Sequence, residues 1–145
     1  MTGVFRAAIW LLVVTTWACS DEGTRYRAET CEGEDPDALV DVTGAYRYIS
    51  RTFNLRGTIT FAQTGTQVRV TETTYDNADD RPVVGDGDLL GNRLEMTLVP
   101  ANGDTDYEAD VGFLFDPDRR AFCLLGFSDT NGDVGGPGSY VGEPL

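Results

Sequence analysis

The sequence predicts an all-β domain over residues 42–145, folded as an antiparallel up-and-down β-barrel of about eight strands, with a β-sandwich as the alternative. From Val42 onward, short stretches rich in Thr, Val, Tyr and Phe alternate with Gly, Asn and Asp, which is the composition of strands and turns. No window of about 12 residues in this part has the apolar i, i+3, i+4, i+7 stripe of an amphipathic helix. Closure into a barrel would also remove the free edges of a sheet.

The N-terminal residues 1–18 have the features of a secretory signal peptide. They contain one basic residue, Arg6, no acidic residue, and an apolar run over residues 7–14 that is too short to cross a bilayer, which takes about 20 residues. A small residue, Ala18, precedes the expected cleavage site, and polar, acidic sequence follows at once. The chain is therefore expected to be exported.

The junction at residues 18–20 resembles a bacterial lipoprotein signal, because Cys19 directly follows Ala18. This resemblance implies that Cys19 receives the lipid and becomes the membrane anchor. With Ser20 next to it, the resemblance also implies delivery to the outer membrane. Thr16 and Trp17 stand where such signals usually carry Leu and a small residue. Secretion or a periplasmic location after cleavage nearby is therefore one alternative. A plain N-terminal apolar helix that happens to be followed by a cysteine is the other.

Three cysteines are present, an odd number for an exported protein. With Cys19 assigned to the lipid, Cys31 and Cys123 remain as an even pair, and an oxidising compartment favours a disulfide between them. Such a bond would close a loop of about 90 residues, with an entropic stabilisation of about 4–5 kcal/mol. Two unpaired thiols are the alternative.

Residues 19–41 are polar and acidic and show no apolar period, so we expect an acidic tether between the lipid and the domain. Cys31 would fasten the second half of this tether to a late strand. The domains are thus a signal peptide over 1–18, a lipid-anchored tether over 19–41 and a barrel over 42–145.

Eight strands are predicted after the tether. Their approximate ranges are 44–52, 56–64, 66–75, 83–90, 93–99, 107–115, 121–128 and 138–142. Apolar and polar residues alternate most clearly in the second, third and fifth strands, which indicates one buried and one wet face. The apolar positions there are Ile59, Phe61, Val68, Val70, Leu94, Met96 and Leu98. Tight turns are expected at residues 64–66 and 91–92, where Gly and Asn tolerate a positive φ, and a short loop at 116–120.

The stretch 42–127 is similar to the small calycin-type barrels of the lipocalin and avidin-like group. The similarity lies in a Gly-x-aromatic step at residues 44–46, a strand, glycine turn and Thr-rich strand over 57–70, and a later hairpin over 87–94. It implies a barrel that holds a small apolar ligand. Tyr46 stands where lipocalins carry Trp, and both tryptophans lie at or before residue 17, so biotin is not implied.

Composition excludes several classes of function. The chain has no His, and all 11 basic residues are Arg, so a His-containing catalytic triad, a His-ligated zinc, a lysine Schiff base and a P-loop lysine are ruled out. After removal of residues 1–18, 10 basic and 24 acidic residues give a net charge of −14, which argues against nucleic-acid binding. Most acidic residues fall in turns or on wet strand faces, so we expect no enzyme.

Five aromatic residues are candidates for lining a ligand cavity: Tyr46, Tyr48, Phe61, Phe113 and Phe115. The alternative is that they fill the core, which a barrel of about eight strands can do with side chains alone. No cofactor is expected, and calcium is the one possible exception. Its candidate ligands are Asp129, Asn131 and Asp133, which place oxygen side chains at alternate positions with Gly132 between. A solvated turn is the alternative there, because Tyr140 stands where an acidic residue would close such a loop.

These observations together predict a non-catalytic lipoprotein of the cell envelope that binds a small apolar ligand or a protein partner. Its partners would be the membrane, through the N-terminal lipid, and the ligand or an envelope protein, and not nucleic acid. The alternatives are a structural or interaction lipoprotein with a solid core, and a calcium-stabilised binding module.

Overall fold

A computed structural model describes residues 25–51, 54–76 and 81–145. The predicted signal peptide, the lipidation site Cys19 and the first residues of the predicted tether lie outside these ranges. The described chain contains nine β-strands and no helix. They are β1 (Gly44–Ser50), β2 (Arg56–Thr64), β3 (Gln67–Tyr75), β4 (Val83–Leu90), β5 (Arg93–Pro100), β6 (Ala109–Phe115), β7 (Phe122–Asp129), β8 (Val134–Gly135) and β9 (Tyr140–Pro144).

Eight of the strands form a closed antiparallel barrel, which confirms the predicted fold class. Strands β1 to β7 follow one another as a meander, and β9 lies between β7 and β1 and closes the sheet. The closing contacts are unequal, since β9 pairs with β1 over five residue pairs and with β7 over two. The extra strand β8 is a two-residue strand that pairs with the far part of β7.

The apolar period of the sequence corresponds to the interior of the barrel. All seven residues named above for the second, third and fifth strands are buried in one core. Two β-bulges change this alternation, at Thr71 in β3 and at Leu125 in β7. Because of the first bulge, Thr73 and not Glu72 is buried, so the charged side chain stays on the outer face.

The two ends of the barrel differ. At one end the strands join through the turns 65–66 and 91–92 and the loop 116–121, as the sequence predicts. Gly91 has a φ of +59° and lies so close to Pro36 that a side chain would collide with it. We call this the closed end. At the opposite end, called the open end, β1, β3, β5 and β7 finish and longer connections follow.

The closed half of the barrel is filled by aromatic rings. Their centroids lie 5.3 to 6.3 Å apart, mostly in edge-to-face arrangements. The rings are those of Tyr46, Phe61, Phe113, Phe115 and Phe122. The Tyr46 hydroxyl donates a hydrogen bond to the carbonyl of Val42, 2.8 Å away, so its polar atom is satisfied within the core.

Residues 25–43, which we call the strap, pack against the barrel. Cys31 forms the predicted disulfide with Cys123 of β7, with the two Cα atoms 5.5 Å apart. Together with Leu114, the bond forms a small apolar cluster outside the main core. Further along the strap, Val40 and Val42 join the main core. The described part of the predicted tether therefore lies on the domain, and the disulfide fastens it there.

Asn92 holds the strap to the closed end. Its side chain is fully buried, accepts a hydrogen bond from the amide of Asp35, and donates to the carbonyls of Gly33 and Phe115. These three bonds are 2.7 to 3.0 Å long and join the strap to the β4–β5 turn and to the end of β6. A buried amide satisfied in this way specifies one position of the strap.

Candidate functional site

A cavity of about 120 Å³ lies inside the open half of the barrel. Its walls are largely apolar, and small side chains such as Ala109 and Thr73 occupy inward positions that rings take at the closed end. An engineered apolar cavity of about 150 Å³ admits benzene, so this space suits one small ring or a short alkyl group.

A larger vestibule of about 390 Å³ continues from the cavity to the surface. Both spaces are lined by the same four rings, namely those of Tyr75, Tyr107, Phe127 and Tyr140. The vestibule adds polar side chains, including Arg81, Asp129, Asn131 and Asp133. The open end is thus a funnel with an apolar bottom and a polar mouth, the form of many small-molecule sites.

The two bulges shape this funnel. After the bulge at Thr71, the Thr73 hydroxyl donates to the carbonyl of Val83 and accepts from its amide, at 2.9 and 2.7 Å. These bonds hold β3 and β4 together beyond their ladder, whose register runs from Gln67–Asp88 to Val70–Gly85. After the bulge at Leu125, Phe127 turns its ring toward the interior and packs against the core. The extra residue in β3 thus turns Tyr75 toward the funnel, and the extra residue in β7 does the same for Phe127.

Asp129 is the best-connected carboxylate of the vestibule. One oxygen accepts the amides of Asn131 and Asp133 at 3.0 and 2.9 Å, and the other accepts the Tyr107 hydroxyl at 3.1 Å. Burial, followed by the charge of Asp129, raises the pKa of Tyr107 well above its ordinary range. Tyr107 therefore stays a neutral donor to the Asp129 carboxylate.

Among the described residues that line the vestibule, Arg81 is the one that carries a positive charge. Its guanidinium lies 2.8 Å from Asp106 and 3.3 Å from Asp104. The hydrogen bond from Arg81 lowers the pKa of Asp106, so both partners remain charged. The cation is therefore already neutralised by carboxylates of the β5–β6 connection.

The expected calcium ligands lie at the mouth of the funnel. The loop uses Asp129 to fix its own turn, as described above. Among residues 25–51, 54–76 and 81–145, no group of three or more acidic or sulfur side chains is placed to hold a metal ion. Calcium binding by Asp129, Asn131 and Asp133 stays a prediction.

The structure separates the five aromatic residues that the sequence marks as ligand candidates. Tyr48 lines the cavity, and Phe113 borders it from the edge of the closed half. Tyr46, Phe61 and Phe115 are packed deeper in the closed half and do not reach it. The four rings that line both spaces were not among the candidates. What these four residues share is a position at or near a strand end that faces the open end of the barrel. That position can be recognised only once the strand directions are known.

Comparison with protein-family models, with curated protein sequences and with solved structures finds no match for this chain. In the described part of the chain, no helix has the length and apolar character needed to cross a membrane. Any function assigned to the open end is therefore argued from the geometry of its own residues.

Proposed function

We propose that this chain is a non-catalytic binding protein of the bacterial cell envelope, which takes a small, partly apolar ligand into its open end. The observation that carries the proposal is the apolar cavity of about 120 Å³ that continues into a vestibule of about 390 Å³. Pockets for small molecules are commonly about 300–1,000 Å³ and mostly apolar, with a few polar groups at the rim. In this proposal the apolar part of the ligand enters the cavity and its polar part stays in the vestibule.

We also propose that the protein is anchored at the bacterial outer membrane. Export through residues 1–18 and lipidation of Cys19 would place the barrel at the outer membrane, with the lipocalin-like architecture as the binding module. The intact mass of the protein made with its own N-terminus in a lipoprotein-processing bacterium tests this. A chain starting at Cys19 and carrying acyl groups supports the anchor, and a chain without acyl groups overturns it.

Binding is tested by titrating the oxidised protein with benzyl alcohol, a neutral probe with one ring, while methyl resonances of Val111 and Leu124 are followed by NMR. Both residues line the cavity. We expect saturable shifts, and intermolecular NOEs between the probe ring and these methyl groups. The NOEs are measured on the unmodified protein, so they do not depend on whether a variant folds.

A pair of matched variants locates the probe. Ala109 is buried in the cavity wall, so Ala109→Phe should fill the space and abolish the saturable shifts. Ala62 is exposed on β2, and Ala62→Phe should leave them unchanged. Absence of saturable shifts and NOEs in the unmodified protein would overturn the proposal and favour an interaction lipoprotein with a solid core, the role that the packed rings of the closed half suit.

A further inference from the structure

The rim of the funnel is unusually aromatic for a protein that has 10% aromatic residues. Tyr75, Tyr107, Phe127 and Tyr140 reach it from different elements, and Tyr48 lies beneath them. The ring of Tyr48 is 6.2 Å from that of Tyr75 and 6.1 Å from that of Tyr140, and Phe127 is 5.9 Å from Tyr140. Rings gathered around one space attract a cation through their negative faces, most strongly when the cation is desolvated.

The charges at the mouth have the sign that complements a cation. Asp129 and Asp133 line the vestibule. Arg81 also lines it, but Asp104 and Asp106 already neutralise that guanidinium. The hydrogen bonds that Asp129 accepts come from neutral donors, namely two amides and the Tyr107 hydroxyl, so they orient the carboxylate without cancelling its charge. A ligand carboxylate would meet net repulsion here, and a cation would meet attraction.

We propose that the ligand of the open end is a small organic cation, an amine or quaternary ammonium that carries one apolar group. The apolar group occupies the cavity, and the cationic nitrogen lies among the rim rings beside Asp129 and Asp133. This inference rests on the proposed function, because it assigns a chemical class to the ligand of the same site. Fatty acids and other apolar anions are the class that it excludes.

Three probes that share a phenylmethyl group test the inference: benzyltrimethylammonium, benzyl alcohol and phenylacetate. They are titrated by NMR at neutral pH and about 0.02 M ionic strength, where screening is weak. We expect the cation to bind at least about tenfold more tightly than the anion, with the alcohol between them. Equal affinities, or tighter binding of the anion, would overturn the inference and leave the proposed function standing. Failure of all three probes would remove the proposed function itself.

Substitutions that change one charge separate this site from the overall acidity of the protein. Asp129→Asn and Asp133→Asn should each reduce the ratio of cation to anion affinity by about threefold or more. Asp133→Asn removes a charge but leaves the Asp129 carboxylate in place to accept its three hydrogen bonds. In the matched control Asp110→Asn, a charge is lost on the outer face of β6, where Asp110 accepts a bond of 2.9 Å from the Thr97 hydroxyl.

Asp110→Asn should leave the ratio of cation to anion affinity unchanged. Benzyl alcohol should still bind each variant, which would show that the cavity is intact. An equal fall of the ratio in Asp110→Asn and in the two rim variants would assign the effect to the net charge of the chain and overturn the inference. An unchanged ratio in both rim variants would overturn it as well.

Discussion

The two ends of this barrel are made from the same strands but reach opposite states of packing. At the closed end, tight turns bring the strands together, Val40 and Val42 of the strap join the core, and rings such as Phe61 fill the interior. At the open end the same sheet carries small inward residues, Ala109 and Thr73 among them, and a cavity remains. One barrel can therefore divide its interior into a densely packed half and a half that contains a cavity.

The largest expected difference between the ends comes from removing one ring from each. Phe61→Ala at the closed end should lower the free energy of unfolding by about 4 kcal/mol, because it opens a void in a filled core. Phe127→Ala at the open end should cost only about 2 kcal/mol, since that ring is partly exposed and already borders a cavity. Chemical denaturation of both variants with the disulfide intact measures the difference. Equal losses would contradict the division of the interior.

A second comparison uses the same substitution in two connections. Asn92→Ala should cost about 3 kcal/mol, because it leaves the amide of Asp35 and the carbonyls of Gly33 and Phe115 without their buried partner. Asn102→Ala in the exposed β5–β6 connection should change stability by less than about 0.5 kcal/mol. Thermal and denaturant unfolding report both values. A small loss in Asn92→Ala would show that the strap is not held by this side chain.

A third prediction concerns stability at alkaline pH. Burial, with a further contribution from Asp41 and opposed by Arg120, raises the pKa of Tyr46 to about 12 from an ordinary value of 10.0. Since the unfolded chain loses this proton first, the contribution of Tyr46 to stability is complete below about pH 10 and is lost as the pH rises toward 12.

Absorbance at about 295 nm, which reports tyrosinate, should therefore show late titration in the folded protein and titration near the ordinary tyrosine pKa in denaturant. Tyr46→Phe should cost about 1 kcal/mol at neutral pH, through the lost hydrogen bond to Val42, and should weaken the alkaline loss. If Tyr46→Phe leaves the alkaline loss as large as in the unmodified protein, this assignment is wrong.

Most of the fold was predictable because the strands have one wet face. Leu94, Met96 and Leu98 are buried as their spacing indicates, and the turn at 91–92 lies where Gly and Asn stand together. The extra strand β8 was not predicted, because two residues are too short for any period. The last strand begins at Tyr140 and not at residue 138, since Gly138 adopts a φ of +77° and belongs to the preceding turn.

The site was less predictable than the fold for a physical reason. A bulge adds one residue to one strand, and the residues that follow exchange faces without any change in composition. Thr73 and Tyr75 face the interior after the bulge at Thr71, whereas strict alternation from Val70 would place Glu72 there. Whether a ring fills the core or lines a cavity depends in addition on the size of residues across the barrel. Tyr46 and Tyr48 face the same interior two residues apart on β1, and only Tyr48 lies high enough toward the open end to line the cavity.

The position of β9 between β1 and β7 has a consequence for how the barrel assembles. β9 is the strand that joins β1 to β7, so before β9 pairs the sheet is open and has two free edges. Such edges are templates for pairing with another chain. Cys31 and Cys123 both lie outside β9, so the disulfide can link the strap to β7 before β9 has paired. The strap leads directly into β1, so the bond holds β1 near β7, the two strands between which β9 pairs, and this limits the exposure of their edges to neighbouring chains.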